Sequence, residues 1–147
     1  MAVADIYGPN TAQVIAFIEA SRALTLAQWQ SCDTSSRESW DEARCDAWDS
    51  AIAALQAAPA YDDSMYDARK AAMVDAWDAA YEAYKARLAE GHAVTHRNGW
   101  PIAGDAGYNA QWVACALVFR DHVPPTHFAI LTASMRSSGI TFGEETR

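Results

Sequence analysis

Four histidines, three cysteines and two rows of carboxylates are the residues whose types and spacing can carry chemistry here. His92 and His96 stand at i,i+4, a spacing that lets two imidazoles on one helix reach a single metal ion. Gly91 precedes them directly and no HExxH word surrounds them, so a helical metal pair is not expected. His122 and His127 straddle Pro124-Pro125, and no Glu-x-x-His pair of the bundle di-iron type occurs. Cys32, Cys45 and Cys115 are widely spaced, with no CxxC. Cys45 and Cys115 fall at helical positions that suit packing, where cysteine acts as a small apolar residue. Cys115 with His122, one face-turn away, is the nucleophile pair that remains. The serines have no GxSxG context. On these residues no catalytic group, metal ligand or cofactor site is assigned, no cofactor is expected, and the chain leans away from being an enzyme.

The carboxylates are more regular. Glu42, Asp46 and Asp49, then Asp75, Asp78 and Glu82, recur at i,i+3 and i,i+4 on two expected helices. Such a face can imitate a row of phosphates and dock on a nucleic-acid-binding protein; the plain alternative is a solvated helix side. A third group lies within apolar stripes. On a helical wheel Arg37, Asp41 and Arg44 point within about 40° of Trp48, and Lys70 points within about 20° of Trp77. Buried charge is costly unless paired, and Arg37 and Asp41 can pair at i,i+4. If the two helices pack antiparallel about Pro59, the end bearing Asp41 and Arg44 lies beside Trp77, Tyr81 and Tyr84. Arg37, Asp41, Arg44, Lys70, Trp77 and Tyr81 then form a candidate polar pocket with aromatic walls, able to hold a small ligand or a partner's side chain. Against this, the same charges can snorkel from an overhanging helix end.

The elements that must position these residues are helical. The longest run is about 62–89, DDSMYDARKAAMVDAWDAAYEAYKARLA. With Trp77 at the centre, Tyr66, Met73, Val74, Tyr81, Tyr84 and Leu88 fall within about 60°, the width of a core-facing stripe. Ala68, Ala72, Ala79, Ala83 and Ala86 form the back, and Gly91 suits the position past its end. A helix at about 36–57, striped by Cys45, Trp48, Ala51, Ile52 and Leu55, shares the words CDAWDSAIAAL and VDAWDAAYEAY with it. The two read as an antiparallel hairpin rather than as a solenoid period, there being no third copy.

Capping boxes are read at Asn10–Gln13, Thr25–Gln28 and Ser35–Glu38. They open helices at about 10–23, 25–32 and 36–57. Residues 91–104 form a loop with one short hairpin at Asn98-Gly99. Asp105 caps a helix to about 122 that is apolar all round, the mark of a central, buried element. Thr126 caps a last helix ended by Gly139, and the tail ITFGEETR is expected to be loosely held. The fold expected is a single all-α domain over 1–147: about five helices, a central antiparallel helical hairpin packed on an apolar C-terminal helix.

Composition bounds the function. The chain has 147 residues, 51% hydrophobic and 20% charged, with a net charge of −8 and a pI near 4.8. That acidity opposes direct binding to nucleic acid or an anionic membrane and suits a partner with a basic surface. No apolar run is long enough to span a bilayer. MAVADIYGPN lacks the basic-then-apolar order of a secretory signal. An odd, unclustered set of cysteines fits a reducing, cytoplasmic compartment.

Three stretches carry a resemblance: the opening LTLAQWQSC, the words around Trp40-Asp41 and Asp75-Ala76-Trp77-Asp78-Ala79-Ala80, and the ending ALVFRDHVPPTHFAILTASMR. Together, over 24–136, the chain resembles a loose group of alanine-, tryptophan- and aspartate-rich helical proteins of actinobacteria and their phages. The likeness is compositional in the middle and specific at 116–136; the ASMRSS segment lacks the aromatic the group would have there. The resemblance implies a small helical protein, of a kind that phages carry, and no activity. The function expected is therefore a non-enzymatic intracellular interaction protein, phage-encoded and binding a host protein. One alternative is an acidic DNA mimic that inhibits a nucleic-acid-binding protein. Another is a small ligand-binding or enzymatic domain with its pocket near Asp41, Arg44 and Tyr81. A protein partner is expected, with no membrane and no direct nucleic-acid contact; a homodimer is compatible with the wide alanine face.

Overall fold

The computed structural model describes residues 6–31, 45, 46, 49, 53 and 63–142. Five α-helices form within them: α1 (Thr11–Arg22), α2 (Leu26–Ser31), α3 (Asp63–Glu90), α4 (Ile102–Val118) and α5 (Pro125–Ser137). Two-residue strands β1 (His96–Arg97) and β2 (Trp100–Pro101) make the only sheet among the described residues. The chain is all-α, as its patterning implies. The expected 36–57 helix lies outside the described residues, apart from Cys45, Asp46, Asp49 and Ala53, which are helical and exposed.

The long run is one uninterrupted helix because alanine supplies the best helix propensity through its length. Its largest contact is with α4. Trp77 on α3 lies against Gly107 on α4, and Arg69 lies close enough to Cys115 to act on its thiol. Moving back along α3 from Trp77 to Arg69 moves forward along α4 from Gly107 to Cys115, so the two helices run antiparallel.

Small side chains form their seam. Ala68, Ala72, Ala76 and Ala80 recur at every fourth residue of α3, continue as Tyr84 and Leu88, and are all buried. On α4, Ala103, Ala106, Gly107, Ala110 and Ala114 are buried at matching helical spacings. Methyl-sized ridges mesh closely, and the stability of such a seam comes from many short dispersion contacts rather than from large side chains.

This turns the inward face away from Trp77, although Tyr84 and Leu88 stay inward and Asp75, Asp78 and Glu82 outward as the wheel expects. Tyr66 and Val74, expected inward, are 46% and 53% exposed, and Lys70 is exposed as well. Ala68, Ala72 and Ala79, expected outward, are buried. The reason is the neighbour. A small-residue helix such as α4 admits an alanine face at close range and pushes bulky side chains to the flanks. Trp77 takes the flank by filling the gap above Gly107, where a Cβ would fall 2.6 Å from its ring. Tyr81 stacks on Trp77 with centroids 4.7 Å apart and planes 12° apart.

The remaining elements clamp this pair. A 3-10 turn, Gly8–Asn10, leads into α1. Thr11, rather than an Asn10–Gln13 box, holds that start: its hydroxyl accepts from the Tyr7 amide (3.1 Å) and donates to the Gly8 carbonyl (2.6 Å). Asn10 instead donates its amide to the Leu117 carbonyl at 2.9 Å, tying the start of α1 to the end of α4. The Thr25–Gln28 box forms in both directions, at 3.2 and 2.8 Å. Below it, Trp29 is fully buried and stacks on Tyr84 at 5.6 Å, fixing α2 to α3. Arg87 donates to the Leu24 carbonyl at 3.0 Å and fixes the α1–α2 corner to the same end of α3.

Helix α3 ends at Glu90 with Gly91 just past it, as expected, but its left-handed cap and two helix starts differ from expectation. The left-handed residue ending α3 is His92 (φ 52°), not Gly91. The Ala93 amide reaches back to the Leu88 carbonyl and that of His92 to Ala89. Gly91 is needed for a different reason, since a Cβ there would fall 2.8 Å from Leu26. Helix α4 starts at Ile102, ahead of Asp105, because the Ile102 amide bonds the Thr95 carbonyl across the hairpin. Helix α5 starts at Pro125 rather than Thr126, as a proline pre-set for the first helical position allows. Gly139 (φ 103°) closes α5 as expected. The tail through Phe142 is packed, not loose: Phe142 is 6% exposed and lies between Phe17 and Phe128.

Candidate functional site

Of the polar-pocket residues, Arg37, Asp41 and Arg44 lie outside the described residues. Lys70 faces solvent, so it is not a charge within the apolar stripe. Trp77 and Tyr81 are together, but as a stacked pair covering Gly107, with the Lys85 ammonium 5.9 Å from the Tyr81 centroid. Of the acidic face, Glu42 lies outside the described residues, and Asp46 and Asp49 are exposed. Asp75, Asp78 and Glu82 are exposed on one side of α3.

That side of α3 is one wall of a groove. The opposite wall is α1, and the volume between them is about 700 Å³. Ala79, Ala83 and Ala86 line it with Ile15 and Ile18. Four carboxylates (Glu19, Asp75, Asp78, Glu82) and two guanidinium groups (Arg22, Arg87) complete the lining. Both arginines are occupied locally: Arg22 pairs with Glu19 at 2.6 Å, and Arg87 with Glu90 at 3.2 Å. Asp78 and Glu82 have no ion-pair partner among the described residues. The groove therefore combines a methyl floor with surplus negative charge. The lining residues of α3 follow from the sequence, since 75, 78, 79, 82, 83 and 86 share one helix face. The α1 wall was not legible, because nothing local in the sequence says which helix comes to lie beside that face.

Tyr7 closes one end. Its hydroxyl donates to Asp75 Oδ2 at 2.6 Å. Burial, then the hydrogen bond and the charge of Asp75, push the Tyr7 phenol up to about 12, with Arg22 pulling the other way. The hydroxyl thus stays protonated as a donor. Because the folded chain keeps a proton that an unfolded tyrosine releases near pH 10, this contact contributes fully below pH 10. It is lost as pH rises from about 10 to 12. Tyr7→Phe should flatten that part of the stability–pH curve, read as urea midpoints across the window. An unchanged curve would show that the bond does not form in solution.

The nucleophile candidate fares differently. Cys115 is buried in α4, and burial pushes its thiol up to about 12, against a smaller opposing pull from Arg69. A thiol held so high supplies almost no thiolate near neutrality. The left-handed turn at His92 takes it and His96 off any common helix, and His96 Nδ1 lies 2.9 Å from the Thr95 hydroxyl. Among the described residues no three His, Cys, Asp or Glu side chains gather as a metal cluster, and no helix is long and apolar enough to cross a membrane.

A second groove of about 790 Å³ separates α1 from the segment 138–142. It is floored by Phe17, Leu24, Leu117, Ile140 and Phe142, residues already committed to the core. Arg120 bridges it, donating to Gln13 at 2.6 Å and to the Phe142 carbonyl.

Compared with family models, curated proteins and solved structures, the chain matches none, so what it binds must be read from the groove itself.

Proposed function

We propose that this chain is a non-enzymatic interaction protein whose α1–α3 groove receives a positively charged helical segment of a partner protein. The observation that carries this reading is the pairing of a methyl floor with two carboxylates, Asp78 and Glu82, that have no ion-pair partner among the described residues. Ala79, Ala83 and Ala86 allow a backbone to come close, while Asp78 and Glu82 stand at the rim to meet lysine or arginine. Helix-in-groove docking uses this division, with apolar contact for affinity and rim charge for orientation and rate. A groove fits the reading better than a phosphate-mimicking face does. Arg22 and Arg87 interrupt the row of negative charge, and Asp75 is engaged by Tyr7.

The test is calorimetric titration with a short alanine- and lysine-rich helical peptide. Binding should weaken about tenfold, roughly 1.4 kcal/mol, on Asp78→Asn with Glu82→Gln. It should also fall steeply as salt rises. Both positions are exposed, so the fold should persist. Binding untouched by the double substitution would refute the groove as the site.

A further inference from the structure

The segment between α3 and α4 is unlike the rest of the surface. Residues 91–101 contain no carboxylate, although the chain carries a net charge of −8; they hold Arg97 and two histidines. The same segment bears the two most exposed large apolar side chains described, Trp100 at 77% and Val94 at 71%. Its shape is fixed. Asn98 and Gly99 take positive φ (52° and 82°), the geometry of a tight two-residue turn, and Arg97 pairs directly with Trp100 across the ribbon. A ribbon held in this register presents an exposed tryptophan beside a guanidinium, an arrangement suited to an anchor.

A surface with the opposite character exists on the same chain. The α1–α3 groove is open, floored by methyl groups and rimmed by Asp78 and Glu82. The hairpin's own exposure shows that it does not sit in its own groove. We infer that the 91–101 hairpin of one molecule docks in the α1–α3 groove of a second copy, Trp100 against the alanine floor and Arg97 against the acidic rim. This rests on the groove being a binding site for cationic segments, and it names one occupant. Because hairpin and groove are different surfaces, the contact is head-to-tail and leaves a free hairpin and a free groove at the ends. It also makes self-association a competitor of any other occupant.

Light scattering across a wide concentration range tests it. The wild-type mass should rise above the 16.0 kDa monomer with concentration. Trp100→Ser, on β2 where the side chain is 77% exposed, should keep the fold and weaken association at least tenfold; so should Asp78→Asn with Glu82→Gln. Mixing the two variants should restore a dimer and nothing larger, since the mixture holds one intact hairpin–groove pair. A wild type that stays monomeric throughout, association indifferent to Trp100→Ser, or a mixture that yields no dimer would each overturn the inference. Titrating the Trp100→Ser protein with the lysine-rich peptide separates the two readings. Peptide binding without wild-type self-association leaves the groove intact and removes the second copy. Loss of both removes the groove as well.

Discussion

Ala72→Leu should destabilise the protein by about 1–3 kcal/mol, the usual result of forcing extra methylenes into a packed core. Ala72 is fully buried in the α3–α4 seam, where its i,i+4 neighbours are also alanine. Leucine there must push α4 outward, and α4 is held on its other sides by α1 and α5. Val74→Ala, two residues away, should stay within about 0.5 kcal/mol, because Val74 is 53% exposed. A wheel centred on Trp77 expects the reverse order, so the pair decides which face of α3 is inside. Two glycines of α4 extend the test. At Gly107 a Cβ would meet the Trp77 ring at 2.6 Å, whereas at Gly104 nothing lies within 4 Å. Gly104→Ala should stabilise by about 0.5–1 kcal/mol through helix propensity. Gly107→Ala carries the same propensity gain but must displace Trp77, and should be a net loss. Chemical denaturation of the four variants measures all of this. Equal effects at Gly104 and Gly107 would show that Trp77 does not cover the seam.

Trp29→Ala should cost more, about 3–5 kcal/mol, as large-to-small changes at buried aromatic sites do. Among the described residues Trp29 is the largest fully buried side chain, and it stacks on Tyr84 with planes 14° apart. It joins α2 to the end of α3, where Arg87 and Gly91 also meet the α1–α2 corner. Its indole N–H has no hydrogen-bond partner among the described residues, which is costly for a buried donor. Trp29→Phe therefore sacrifices volume but removes that donor, and should lose much less than Trp29→Ala. Equal losses for the two would mean that a phenyl ring recovers none of the packing on Tyr84 and that removing the donor returns nothing.

The all-α class, the two-residue hairpin turn and the Thr25–Gln28 box were legible because each is written in neighbouring residues. What was not legible depends on partners distant in sequence. Asn10 looks like a cap but bonds the Leu117 carbonyl, across the whole chain. Phe142 looks like a loose tail but packs between Phe17 and Phe128. The rotation of α3 was misread for the same reason. A wheel ranks side chains by size and polarity, and alanine counts for little on it, yet alanine is what a small-residue helix such as α4 can accept at close range. The exposure of Asp75, Asp78 and Glu82 follows from their own chemistry, but the groove beside them needs α1, and no local pattern announces it.

Amide chemical-shift mapping with the lysine-rich helical peptide examines the α1–α3 groove most directly. Shifts should concentrate at residues 15–22 of α1 and 75–87 of α3, with the Tyr7 amide moving too as the peptide reaches Asp75. Shifts that map to the 138–142 groove, that scatter over the acidic surface without favouring either wall, or that are absent at low salt would contradict it.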